Sequence, residues 1–182
     1  MQGAAGPTTN SGAYWDLSVQ GITPKNFVAT LSYSQVEMDP KNLPSDYQPG
    51  YVLLIIIPLS DGIPYVATST LSITAGKAFK SGRNTWFSTE AGIGYVKSET
   101  MSFYKQEVIS NIVSATSNYR TTTEDHSTVG AVVKADFNWA MASFMGLGFG
   151  VCGNLNSVQS FAGFHVKLMA GLMGRQKKVR RE

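Results

Sequence analysis

The sequence holds a single cysteine, Cys152, which excludes an internal disulfide framework and any multi-cysteine metal site and leaves the redox compartment open. Charge is also scarce. Only 15% of residues are Asp, Glu, Lys or Arg, against 11% aromatic and 43% hydrophobic, the reverse of a disordered chain, and 182 residues suit one domain. Long hydrophobic runs are missing too. The longest, Tyr51 to Leu59, is interrupted by Pro58, whereas a membrane-spanning helix needs about 20 apolar residues. A helical membrane protein is therefore excluded. A transmembrane β-barrel is not, because each of its strands needs only about 9 to 11 alternating residues and leaves mean hydropathy near neutral, here −0.05. Proline is absent from everything after Pro64, as suits a continuous sheet broken only by Gly, Ser, Thr and Asn.

The excess of basic charge is not spread along the chain. The formal net charge is +3, yet residues 175–182, RQKKVRRE, hold five of the 15 basic residues and one of the 12 acidic ones. Ten basic residues then face eleven acidic ones. The basicity belongs to the tail, and the case for a nucleic-acid partner goes with it.

Periodicity in the proline-free part has a step of two. From Thr128 to Trp139 one parity reads Val129, Ala131, Val133, Ala135, Phe137, Trp139, and the other Gly130, Val132, Lys134, Asp136, Asn138. A helical stripe of Val129, Val132, Val133 and Phe137 would include Asp136, so strand ranks first. Phe144 to Cys152 sets Met145, Leu147, Phe149 and Val151 against Gly146, Gly148 and Gly150, a spacing very unfavourable in a helix. Phe164, Val166, Leu168, Ala170 and Leu172 alternate with His165, Lys167, Met169 and Gly171. Weaker alternation marks 26–36, 67–79 and 84–97, while 51–58 reads as a strand covered on both sides and 100–113 as strand in preference to a short helix.

With 127–139, 142–153 and 158–173 these make eight strands. The expected fold is all-β: an antiparallel up-and-down transmembrane barrel of about eight strands, or ten if an N-terminal part is missing. One domain spans 1–174, followed by the basic tail 175–182. With the C-terminus at a short-turn end, the connectors 36–50, 80–83, 114–126 and 154–157 all fall at the opposite end. Ala13 to Gln20 would be a ninth strand, against the even-number rule, so it is expected to lie outside the count or to mark an absent upstream portion.

The non-apolar faces are mostly Gly, Ser and Thr, whereas a soluble surface is about 25–35% charged. Small residues suit a narrow lumen better than a solvated exterior. Glu90, Lys134, Asp136, Asn138, His165 and Lys167 are therefore assigned to a polar cluster facing an interior that eight strands make only wide enough for side chains. Trp86, Tyr95, Trp139 and Phe144 are assigned to membrane-interface belts. A soluble lipocalin-like barrel binding a small apolar ligand is the alternative.

Three apparent motifs fail on context. Gly148, Gly150 and Gly153 spell G-x-G-x-x-G but have no following helix and no acid before Glu182. Ala75-Gly76-Lys77 lacks the rest of a phosphate loop. Glu124, Asp125 and His126 are adjacent and cannot converge on one ion without unusual backbone, and Ser127 beside His126 points to the opposite face of a strand. No catalytic residue, metal or cofactor is assigned.

The run TVGAVVKADFNWAMASFMGLGFGVCGNLNSVQSFAGFHVKLMAGL resembles the last three strands of small outer-membrane β-barrel proteins of Bacteroidota, within the OmpA/OmpX-like porin-type superfamily. RNTWFSTEAGIGYVKSE resembles an earlier strand of that class, and the resemblance covers about 67–174. It implies a bacterial outer-membrane location and a non-enzymatic structural, adhesive or envelope-complex role. The implied partners are outer-membrane lipid, lipopolysaccharide and an envelope protein complex; a lipid-modifying enzyme or small porin is the further alternative. Two departures stand out: Leu172 holds the place of the usual closing aromatic, and MQGAAGPTTNSGAYW has neither the basic nor the apolar region of a signal peptide.

Overall fold

The computed structural model describes residues 1–9, 12–54, 57–60, 62–110 and 114–171, so the basic tail and Leu172 lie outside the described residues. The elements in chain order are β1 (Gln2–Thr8), β2 (Gly12–Ile22), β3 (Phe27–Met38), β4 (Tyr51–Leu54), β5 (Ile57–Ser60) and β6 (Val66–Lys80). They continue with β7 (Thr85–Lys105), β8 (Ser114–Ala115), β9 (Tyr119–Ala140), β10 (Met145–Leu155) and β11 (Phe161–Ala170). Eight of them close into an antiparallel ring in the order β1-β11-β10-β9-β7-β6-β3-β2, and β5-β4-β8 form a separate small sheet. Closure removes every sheet edge along the barrel body, as a wall in lipid must.

The number of strands expected from the sequence holds, but the membership differs. The expected strand 51–58 falls partly outside the described residues; Tyr51–Leu54 and the first residues of β5 are not in the wall but pair with each other in the small sheet, which fits a run that does not alternate and carries Pro58. Residues 100–105 are not a new strand either. β7 continues through them, paired from Glu99↔Asp125 to Lys105↔Tyr119, because no Gly, Pro, Asn or Asp interrupts the chain between Gly94 and Lys105. The expected loop 114–126 accordingly belongs to β9 from Tyr119 onward. Ala13 to Gln20 lies inside the ring as most of β2, and the strand absent from the sequence reading is β1, whose Gly3, Gly6 and Pro7 give no alternation. β1 pairs with β11, for example Ala5↔Val166, and so closes the barrel.

Counting up and down from Gln2 puts the turns 23–26, 81–84 and 141–144 at the end that holds both described chain ends. The chain leaves the ring strands after Met38, Lys105 and Leu155, and re-enters them at Val66, Tyr119 and Phe161, at the other end. The Ser81–Asn84 turn therefore sits at the termini end, opposite to expectation, because reading 100–113 as a strand of its own adds a reversal where β7 runs on to Lys105. Reading 51–58 as a wall strand adds a second, so the connector after β3 keeps its expected end.

Alternation resolves into an apolar exterior and a polar interior. Val19, Leu31, Ile73, Ile93, Val129, Phe149, Phe164 and Val166 point outward and are exposed, while Ser18, Thr30, Ser32, Thr70, Ser72 and Thr74 are buried inside. This is the reverse of a soluble barrel. An arginine on that wall should be costly. Val166→Arg, at the middle of β11, is expected to destabilise the refolded barrel by about 2–4 kcal/mol in bilayers, read from the urea unfolding midpoint.

Candidate functional site: a filled lumen and a projecting ribbon

The lumen-facing residues expected from the sequence lie together inside the ring. Glu90, Asp136, Asn138, His165 and Lys167 are all buried, and the Lys134 side chain is 9% exposed. Asp136 on β9 is the hub: Lys167 Nζ donates to Oδ2 at 2.8 Å and His165 Nε2 lies 2.8 Å from Oδ1. Both partners sit on β11, two strands away, and reach across β10. Glycines make that crossing open: a Cβ on Gly150 would meet Asp136 Oδ1, and one on Gly148 would stand 2.9 Å from Asn138 Oδ1 and 3.2 Å from Lys167 Cε. The alternating glycines of β10 thus provide the space in which β9 and β11 side chains meet.

Two further groups complete the filling. Lys134 Nζ crosses the lumen to β2, donating to Asp16 Oδ2 at 2.9 Å and to Ser32 Oγ at 3.0 Å, while Tyr14 Oη donates to the same Asp16 oxygen at 3.1 Å. Glu90 accepts from Gln20 Nε2 and from Thr74 Oγ1, each at 2.7 Å. Asp16, Gln20 and Tyr14 escaped the sequence reading because their segment was set outside the barrel; their alternation with Trp15, Leu17 and Val19 was the available signal. Towards the loop end Tyr14, Val36, Met38, Cys152 and Phe161 pack into an apolar plug. Between these layers only about 10 Å³ of cavity remains, room for about one water.

At the termini end the lumen opens into a vestibule of about 640 Å³ whose wall includes Lys80, Arg83 and Trp86. Trp86 corrects an expectation. It pairs with Asn138 and shares the parity of buried Ser88 and Glu90, so it lines the lumen, while Phe87 takes the outward place. Trp139, Phe144 and Tyr95 do point outward, at 49%, 64% and 57% exposure. With Phe27, Phe79 and Phe87 at the termini end and Trp15 and Tyr33 towards the loops, the exterior carries aromatics at both margins.

The second feature stands beyond the ring. β6 pairs with β7 up to Ser98, and β10 with β9 up to Ala131, so the distal halves of β7 and β9 run on as a two-stranded ribbon. Residues 120–127 are exposed on both faces. Lys97 pairs with Asp125 at 2.9 Å, while His126 Nε2 lies 3.9 Å from Glu124 on the other face. His126 and Ser127 alternate, and among the described residues no three His, Cys, Asp or Glu side chains group as metal ligands.

The ribbon is braced by the 39–50 segment. Tyr47 packs against Phe103 and Tyr119, Asn118 Nδ2 donates to the Asp46 carbonyl at 2.6 Å, and Asp46 accepts from Tyr119 Oη at 2.7 Å and Lys105 Nζ at 3.1 Å. The Tyr119 hydroxyl, then Lys105, hold the Asp46 carboxyl below its ordinary range. A lowered folded-state pKa means that this anchorage is complete above about pH 4, the ordinary Asp value, and is lost as pH falls through the depressed one. Amide protection in 39–50, measured relative to the intrinsic exchange rate at each pH, should accordingly fall on acidification, and Asp46→Asn should show the low protection at neutral pH.

An antiparallel eight-stranded barrel, apolar outside and filled with a polar network, is the outer-membrane β-barrel fold. Among solved structures it is similar to the crystal structure of Ail, the attachment invasion locus protein of Yersinia pestis, with a TM-score of 0.52 and 8% identity over 93% of each chain. No family model matches the chain, and no curated protein matches it.

Proposed function

We propose that the chain is a non-enzymatic barrel of the bacterial outer membrane, of the small OmpA/OmpX-like kind found in Bacteroidota, whose ribbon acts outside the cell in attachment. The observation that carries this is the combination of a filled lumen with a braced ribbon. Beyond the vestibule the lumen is filled by ion-paired side chains with a cavity of about 10 Å³ among them, which favours neither a solute path nor a lipocalin-like apolar cavity. The extra length of β7 and β9 instead goes into a surface projecting from the long-loop end. Attachment is also the property named for the similar Yersinia protein.

Two experiments test this reading. Cell envelopes washed in alkali should retain the protein, and the unboiled protein should run differently from the boiled one on a detergent gel. Cells displaying the full chain should adhere to epithelial monolayers, and replacing 100–124 by a two-residue turn should return adhesion to background with the gel shift intact. Adhesion unchanged by that replacement would remove the attachment role.

A further inference from the structure

Charge outside the lumen is divided along the barrel axis. Among the described residues, the termini end carries Lys25 and Lys77 on its outside and Lys80 and Arg83 at the vestibule mouth, with no acidic residue, whereas the loop end carries seven carboxylates against four cations. The four cations are not spread around the rim. Lys25 lies in the β2–β3 turn, Lys77 and Lys80 on β6, and Arg83 in the β6–β7 turn, all on the β2–β7 side; the opposite β9–β10 turn is Met141-Ala142-Ser143-Phe144.

Lys77 is the telling member. It faces outward from β6 between Ala75 and Phe79, level with Phe27 on β3 and Thr89 on β7, and its Nζ stands 5.7 Å from the Phe27 ring centroid. Among the described residues it has no carboxylate partner, and it is a lone cation on the apolar wall. A soluble anion would meet Lys25, Lys80 and Arg83 at the rim. Only a ligand that covers the apolar wall and carries negative charge at its edge meets Lys77 together with exposed Phe27, Phe79 and Phe87.

We propose that the termini-side face of β3, β6 and β7 seats the phosphate headgroup of an anionic phospholipid, with its acyl chains along the three phenylalanines and its phosphate on Lys77, beside the rim turn that carries Lys25. This rests on the membrane location proposed above. The seat lies in the leaflet at the termini end, away from the ribbon.

The full chain, inserted into vesicles of equal phosphatidylcholine and phosphatidylglycerol and extracted in mild detergent, tests this when the lipid it retains is measured by mass spectrometry. Phosphatidylglycerol should be enriched, and K77Q should lower that enrichment about fivefold, the usual effect of one cation near an anionic surface. K77R should keep it, and K97Q, a change to the paired lysine at the loop end, should leave it unchanged. A gel shift on boiling reports insertion separately. A shifted protein that shows no enrichment, or enrichment that K77Q leaves intact, overturns the seat and spares the membrane reading. An unshifted protein overturns both.

Discussion

Asp136→Ala is expected to cost the barrel about 3–5 kcal/mol, the range for removing one partner of a buried ion pair. The size follows from what remains. Lys167 and His165 have side chains 4% and 3% exposed, and Asp136 is the hydrogen-bond partner that both of them use. Removing the carboxylate leaves an ammonium in a lumen too full to admit more than about one water. The urea midpoint of the refolded protein should fall accordingly. Adding Lys167→Met should recover most of the loss, because the second change removes the stranded charge. A loss that the second change leaves untouched would mean that the lumen is wetter than its packing implies.

Gly150→Val should be as damaging through the opposite fault. The new Cβ would collide with Asp136 Oδ1 and with the Ala135 carbonyl oxygen, and a ladder carbonyl cannot move aside without breaking β9–β10 pairing. Overpacking costs about 1–3 kcal/mol by itself, and displacing Asp136 adds part of the ion-pair loss. The sum is expected to exceed about 3 kcal/mol, enough for much of the protein to run unfolded on an unboiled gel. Gly21→Ala on β2, where an added Cβ meets nothing within 4 Å, serves as the control and should change stability by less than about 1 kcal/mol. In Asp136→Ala/Gly150→Val the two effects should be less than additive, because both act on one carboxylate.

The residues differ in how far their sequence announces these roles. β9, β10 and β11 were legible because each sets large apolar side chains on one parity and Gly, Lys, Asp or His on the other, the signature of a wall between lipid and a crowded lumen. The same parity located Lys134, Asp136, His165 and Lys167, but spacing alone gave no partners. That His165 and Lys167 both converge on Asp136 depends on the β9–β10–β11 register, which Gly148 and Gly150 make usable. β1 was invisible because Gly-Ala-Ala-Gly-Pro has no large side chain to alternate, and its strand character comes from pairing with β2 and β11. Splitting β7 at 97–100, and not the missing β1, put the Ser81–Asn84 turn at the wrong end. The expected strands 84–97 and 100–113 break the ribbon at Ser98 and Glu99, whereas outside the barrel a two-stranded ribbon tolerates polar residues on both faces. Trp86 was placed by its nearness to a strand end, where its parity with Ser88 and Glu90 would have put it inside.

The three tryptophans allow the central claim, an apolar wall facing lipid around a filled lumen, to be tested directly. Trp15 and Trp139 point outward and Trp86 inward. Single-tryptophan variants of the full chain, inserted into vesicles with brominated acyl chains, should show strong quenching of Trp15 and Trp139 and little quenching of Trp86. Quenching of Trp86 equal to theirs, or none at any of the three, would contradict the claim.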